Sequence, residues 1–285
     1  MNKYIVTVVA LVPSVLMVNA VISSESSVSD DVIAEQRAML AKNTNGLGVG
    51  PQAPRDIDSL EGVNTRSFAT APSYTEMNLC NLHFHENAEH KGGEFTTYAG
   101  NGNGEGYGSG YKYNGSLTDA ELTPLNEKIG ESEHGDLVPG DTIEVHYVYS
   151  SAQVEPGVTL GACLNETISN PQLRVEAQVF VLVNDENALD FVELTNVEKI
   201  NGYYQAPRLP ADSGKPVEYA GSTTGPSYNE THSPFQVSWG VRPQVQKVNI
   251  KTVGKWLASN IFEEDHAHGV RNIVMNTDLL SKISP

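Results

Sequence analysis

From about Thr70 onward, short runs rich in Val, Ile, Tyr and Phe alternate with Gly, Pro and Asn turns, which is the texture of strands and their connections. Leu79–Phe84, Thr142–Tyr149, Arg174–Val183, Phe191–Val197 and Phe235–Val241 are the strongest predicted strands. Before Thr70 the spacing changes. Val32, Ala34 to Gln36 and Met39-Leu40 fall at near-helical intervals within Asp31–Lys42, and Asp30 or Asp31 is available as a cap. Asn43–Arg66 carries Gly46, Gly48, Gly50, Pro51 and Pro54 and reads as a linker or wrapping arm. Near the end, Val253–Phe262 predicts another helix. The pattern as a whole predicts a mainly β fold, one antiparallel sheet with short peripheral helices.

The first 20 residues read as an address. Lys3 is basic, Ile5 to Val18 is almost unbroken apolar sequence, and Val18-Asn19-Ala20 puts small residues around a cleavage site after Ala20. The apolar run is shorter than the ~20 residues a spanning helix needs, and Pro13 interrupts it. The expected organisation is a signal peptide over 1–20, an N-terminal helix and arm over 21–70, and a β domain over 71–285. The mature protein is expected to be exported, periplasmic or secreted, with no membrane attachment after cleavage.

Composition narrows the functional classes. With 35 acidic against 18 basic residues the formal charge is −17, which argues against binding nucleic acid or an anionic membrane. Cys80 and Cys163 are too few for a disulfide framework or a four-cysteine zinc knot. They are either two buried thiols or one disulfide, and an oxidising compartment favours the disulfide. Gly100 to Gly110 has glycine at every second position but lacks the Lys-Ser/Thr ending of a phosphate cradle. It reads as a flexible insertion decorated with Tyr107, Tyr111 and Tyr113.

The eight histidines carry the chemistry. In Asn81-Leu82-His83-Phe84-His85 alternate side chains of a strand share a face, so His83 and His85 point together while Leu82 and Phe84 turn inward. Asp141 to Tyr149 is another strand, placing Glu144 and His146 on one face. His83, His85 and His146 form a candidate Zn2+ triad that leaves a fourth position open, the arrangement of a catalytic site. Zinc-bound imidazoles usually give their other N–H to a carboxylate or amide, and Glu144 is placed to hold His146 as Asn81 is to hold His83. Glu263 to His268 contains a second His-x-His, read as an acidic surface turn.

These motifs resemble the carbonic anhydrases. The alpha class has a His-x-His strand, a Glu-His pair, and a third zinc histidine preceded two positions earlier by Glu. Here His83-x-His85, Glu133-His134 and Glu144-x-His146 look similar, although Glu133 lies 48 residues after His85, so a large insertion is implied. Val237-Ser-Trp239-Gly-Val241 also looks like an alpha-class segment, and Asn81 to Glu94, with its His-Phe-His-Glu-Asn-Ala-Glu-His-Lys run, looks more like the delta class. The resemblance runs from about Ser73 to the C-terminus and implies reversible hydration of carbon dioxide to bicarbonate and a proton by zinc-bound hydroxide. It implies Glu133 and Thr231 as the hydroxide-orienting pair, with Thr223 and Thr224 in a displaced alternative, and Val148 and Trp239 as the substrate wall. His90 is the candidate proton carrier, with His232 a second, and His134 supports the site. Two other readings compete. In a cupin-type metalloprotein Glu89 would join the histidines on iron or manganese. In a non-enzymatic secreted binding module the acidic surface would be the interaction face.

Overall fold

The computed structural model describes residues 27–284, so the expected signal peptide lies outside the described residues. The longest strands arise where the sequence is most β-branched and aromatic: β1 (Asn78–Glu86), β6 (Thr142–Ser150) and β7 (Leu173–Val183). Between β1 and β6 lie two small hairpins, β2 (Thr97–Asn101) with β3 (Ser109–Lys112), and β4 (Ile129–Ser132) with β5 (Gly135–Leu137). After β7 come β8 (Glu198–Ile200), β9 (Tyr203–Gln205), β10 (Val217–Ser222), β11 (Gln236–Val241) and β12 (Gln246–Asn249). The helices are α1 (Asp30–Thr44), α2 (Phe191–Leu194) and α3 (Ile250–Ala258).

The main sheet has the order β1-β6-β7-β11-β10, and β12 also pairs with β7. All eleven residues of β7 are buried, as expected of a strand covered on both faces. The sheet is mixed: β1 and β6 join antiparallel, as do β6 and β7, while β11 and β12 run parallel to successive halves of β7. Each face carries its own core. Leu82, Phe84, Ile143, Val145, Tyr147, Phe180 and Leu182 pack against Phe191 and Trp256 under α2 and α3. Full burial of such apolar side chains is worth about 1.5–3 kcal/mol each. The opposite face holds Cys80, Val148, Val175, Ala177, Val179, Tyr219 and Trp239.

Two sequence expectations change. Phe191–Val197 is not a strand: the Asp190 carboxylate accepts from the Val192 and Glu193 N–H groups and starts the single turn of α2. A short apolar run fits a buried helix turn as well as a strand, and the cap decides between them. The glycine-rich insertion is an ordered turn joining β2 to β3, tied to α1 by Val28 N–H on the Gly102 carbonyl and by Gln36 on the Gly104 carbonyl. The arm does wrap the body, with Gln52, Ala53 and Arg55 buried. Cys80 and Cys163 form a disulfide. Among the described residues no helix is long and apolar enough to cross a membrane.

Candidate metal centre

Strand alternation builds the site. Leu82 and Phe84 enter the helix-covered core, so His83 and His85 emerge on the other face. The register of β1 on β6 sets His83 opposite His146 and His85 opposite Glu144. One ring nitrogen from each of His83, His85 and His146 lies within 4.8 Å of the other two, a grouping that could hold a metal ion.

Each imidazole has its other nitrogen held. His83 Nδ1 meets Asn81 Oδ1 at 2.7 Å, His85 Nδ1 meets the Gly269 carbonyl at 2.7 Å, and His146 Nε2 meets Glu144 Oε1 at 2.9 Å. All three partners are acceptors, so these nitrogens carry the protons. That leaves His83 Nε2, His85 Nε2 and His146 Nδ1 with the free lone pairs. Burial first, then the neighbouring imidazoles, holds His83 and His85 well below the usual histidine range, so both rings are neutral at pH 7. Neutral, back-bonded imidazoles are the form that ligates a metal, and the donor set fits a zinc-type ion.

Glu144 is fully buried yet ionised. Burial pushes its carboxyl up, but the neighbouring His90 and the hydrogen bonds from His146 and His90 outweigh it, and the group sits well below the ordinary carboxylate range. Its Oε2 accepts the His90 backbone N–H at 3.0 Å, and its Oε1 accepts His90 Nδ1 at 2.6 Å as well as His146 Nε2. His90 Nε2 bonds the Tyr219 hydroxyl, whose ring lies under the Arg55 guanidinium at 5.2 Å and stacks parallel on Trp239.

A second carboxylate enters from the same run. Thr224 donates its hydroxyl to Glu89 Oε1. Glu89 Oε2 is buried, makes no hydrogen bond, and lies 3.7 Å from His85 Nε2. Burial lifts the Glu89 carboxyl above its ordinary value, against the pull of His146 and His90.

The predicted residues divide clearly. Asn81, His83, His85, Glu144 and His146 come together. Val148 is buried in one apolar cluster with Trp239, whose indole packs edge-on to His146 at 5.0 Å. Glu133 is not brought in: its side chain is 87% exposed in the turn between β4 and β5. Thr231 is exposed too, and only its carbonyl is engaged, by Arg271. A Glu-His pair that does lie at the cluster is Glu89-His90, and a threonine bonded to it is Thr224. The sequence carries Glu89-His90 directly behind the His-x-His strand, while Glu133 stands out because it fits the spacing to His146. His90 is completely buried, with one ring nitrogen on Glu144 and the other on the Tyr219 hydroxyl. His134 instead stacks on Tyr107 of the glycine-rich turn. In the second His-x-His, His268 stacks on His83 at 5.3 Å and bonds Glu264, while His266 bonds Asp265. The second His-x-His carries a signal for His268 that the surface-turn reading sets aside, whereas sequence spacing holds none for Gly269 or Tyr219.

The family model described as delta carbonic anhydrase matches residues 74–252. No curated protein matches the chain. Among solved structures, an alpha-carbonic anhydrase from Photobacterium profundum is 16% identical, over 87% of this chain and 96% of that one, with a TM-score of 0.28. A hyperthermostable carbonic anhydrase from an active hydrothermal vent chimney is 15% identical, over 82% and 88%, also with a TM-score of 0.28. The complex of alpha-carbonic anhydrase from Thermovibrio ammonificans with the inhibitor sulfanilamide is 13% identical, over 79% and 84%, with a TM-score of 0.29.

Proposed function

The chain belongs to the delta carbonic anhydrase family, and from that membership we propose a zinc enzyme that hydrates carbon dioxide reversibly at the three-histidine cluster. The observation that carries the reading is the set of three converging imidazoles, each fixed from behind by an acceptor: Asn81, Gly269 and Glu144. Zinc held there supplies Lewis acidity, lowering the pKa of water to about 7 so that a nucleophile exists at neutral pH.

The chain's own residues do the rest. His83, His85 and His146 would hold the ion through the ring nitrogens not bonded to Asn81, Gly269 and Glu144. Glu144 keeps the His146 proton on Nε2, leaving Nδ1 free to ligate. Thr224 gives its hydrogen to Glu89, so its oxygen is left to accept one. An attacking oxygen in the pocket must therefore turn its hydrogen toward Thr224 and its lone pair toward carbon dioxide. This pair takes the orienting role expected of Glu133 and Thr231. Val148 and Trp239 give an apolar wall suited to a substrate with no net charge. The product is bicarbonate.

In this reading residues 71–285 form the catalytic domain, 21–70 the helix and arm around it, and 1–20 a signal that exports the chain. The disulfide supports an oxidising compartment. Stopped-flow carbon dioxide hydration on the mature protein, with zinc content measured alongside, tests the proposal. The expected result is a zinc-dependent rate that His146→Ala abolishes. A parent rate no greater than background, with zinc loaded, overturns it.

A further inference from the structure

The matched family region ends at residue 252, yet the acceptor behind His85 is the carbonyl of Gly269. What holds that carbonyl in place lies outside the matched region. Residues 268–272 form a strap across the edge of β1. His268 N–H donates to the Phe84 carbonyl at 2.9 Å, and Glu86 N–H donates to the His268 carbonyl at 3.0 Å, bracketing His85. Val270 N–H donates to the Gly106 carbonyl at 2.9 Å. Here the glycines are needed: Gly106 has φ +115°, and a Cβ on it would sit 2.5 Å from the Val270 carbonyl oxygen. Arg271 reaches the Ala53 carbonyl of the arm at 2.7 Å. Asn272 N–H donates to Asn229 Oδ1 at 2.8 Å, on the segment that follows Thr224.

One side chain of α1 closes this arrangement. Gln36 Nε2 donates to the Gly104 carbonyl at 2.7 Å, and Gln36 Oε1 accepts from Asn272 Nδ2 at 2.7 Å. A single amide thus joins the N-terminal helix, the glycine-rich turn and the strap. We propose that Gln36 is a positioning residue for the metal centre: through the Asn272 bond, α1 keeps the strap seated and the Gly269 carbonyl on His85 Nδ1. The inference rests on the three-histidine metal reading, but the latch itself is independent of it. It gives α1 and the glycine-rich turn a function, and makes the N-terminal helix part of the catalytic unit.

Two variants of the full mature chain separate the halves of the amide. Gln36→Ala loses both bonds. Gln36→Glu loses the donor to Gly104 but keeps an acceptor for Asn272. Two readouts are needed: deuterium exchange of peptides spanning 268–272 in metal-free protein, and zinc release to a chelator from loaded protein. The expected result for Gln36→Ala is faster strap exchange and zinc release accelerated about tenfold, the lower end of the effect of losing an outer partner of a ligating histidine. Gln36→Glu keeps the Asn272 bond but sets a second acceptor against the Gly104 carbonyl, so it should accelerate both less than Gln36→Ala. Gln36→Met keeps the bulk and loses both bonds, and it should match Gln36→Ala, as a role in packing alone would not. Unchanged strap exchange in Gln36→Ala overturns the latch, and this holds whether or not the chain binds zinc. Faster exchange with zinc release at the parent rate overturns the positioning role while leaving the metal reading intact. Equal acceleration in Gln36→Ala and Gln36→Glu, or parent values in Gln36→Met, overturns the assignment to the Asn272 bond. If the parent chain binds no zinc, the metal reading itself fails, and the positioning role with it.

Discussion

Replacing Glu144 by Gln changes one atom of a buried carboxylate that takes three hydrogens: His90 N–H on Oε2, and His90 Nδ1–H and His146 Nε2–H on Oε1. The amide can sit two ways, and both are costly. With its oxygen toward the two rings, its NH2 faces the His90 backbone N–H, and an unsatisfied buried donor costs about 1–3 kcal/mol of stability. With its oxygen toward the backbone, its NH2 faces the rings, and His146 must move its proton to Nδ1. That is the nitrogen needed for the metal, so zinc affinity falls. Loss of an outer partner typically weakens a metal about 10–100-fold, or about 1.4–2.8 kcal/mol, which is comparable to the first cost. Glu144→Gln should therefore show a lower urea midpoint without metal, a weaker zinc affinity by chelator competition, or a share of each. A variant matching the parent in both would refute the assignment of the His146 tautomer. Glu144→Ala is the worse probe. It strands all three donors at a cost of about 3–9 kcal/mol, a large part of the ~5–15 kcal/mol that holds a domain folded.

Thr224→Val removes the donor to Glu89 with little change of shape and should lower kcat/KM about 10²–10³-fold in stopped-flow hydration. Thr231→Val and Glu133→Gln, both at exposed positions, should stay within about twofold of the parent, a margin worth less than 0.5 kcal/mol. Cys80→Ser opens a loop of 83 residues and should cost about 4.5 kcal/mol on the chain-entropy scale, read from urea midpoints under non-reducing conditions. Glu121, bonded first by Lys247 and then by Thr118, has its carboxyl pulled down to about 2 from 4.5. Its depressed value gives stability that is present above pH 4.5 and lost as pH falls toward 2, so the gap between parent and Glu121→Gln midpoints should close over that window.

Much of the centre was legible because strand periodicity is strict. Once Leu82 and Phe84 are assigned to the core, His83 and His85 have only one face left, and the same logic sets Glu144 with His146. The mixed sheet was less legible, since an apolar run such as Arg174–Val183 does not say which way its neighbours point. Which carboxylate and threonine meet beside the histidines was not legible, because spacing along the chain is a poor guide across insertions: Glu89 and Thr224 are 135 positions apart yet bonded. Gly269 could not have been found from side-chain chemistry, because it acts through a backbone carbonyl that any residue possesses. The disulfide was within reach because two cysteines allow only one intramolecular pairing.

The arm closes on the far end of the chain. Gln52 N–H reaches the Leu279 carbonyl, Val63 N–H the Thr277 carbonyl, and Arg55 the Ser281 carbonyl. Each contact spans more than 200 residues, the kind of separation that slows folding because loop closure must precede any gain. During synthesis the His-x-His strand emerges early, but the Gly269 carbonyl that braces His85 comes almost last. Zinc affinity should therefore rise late in refolding, after the sheet has formed its hydrogen bonds, and a chain interrupted before the strap would hold its three histidines without holding them still.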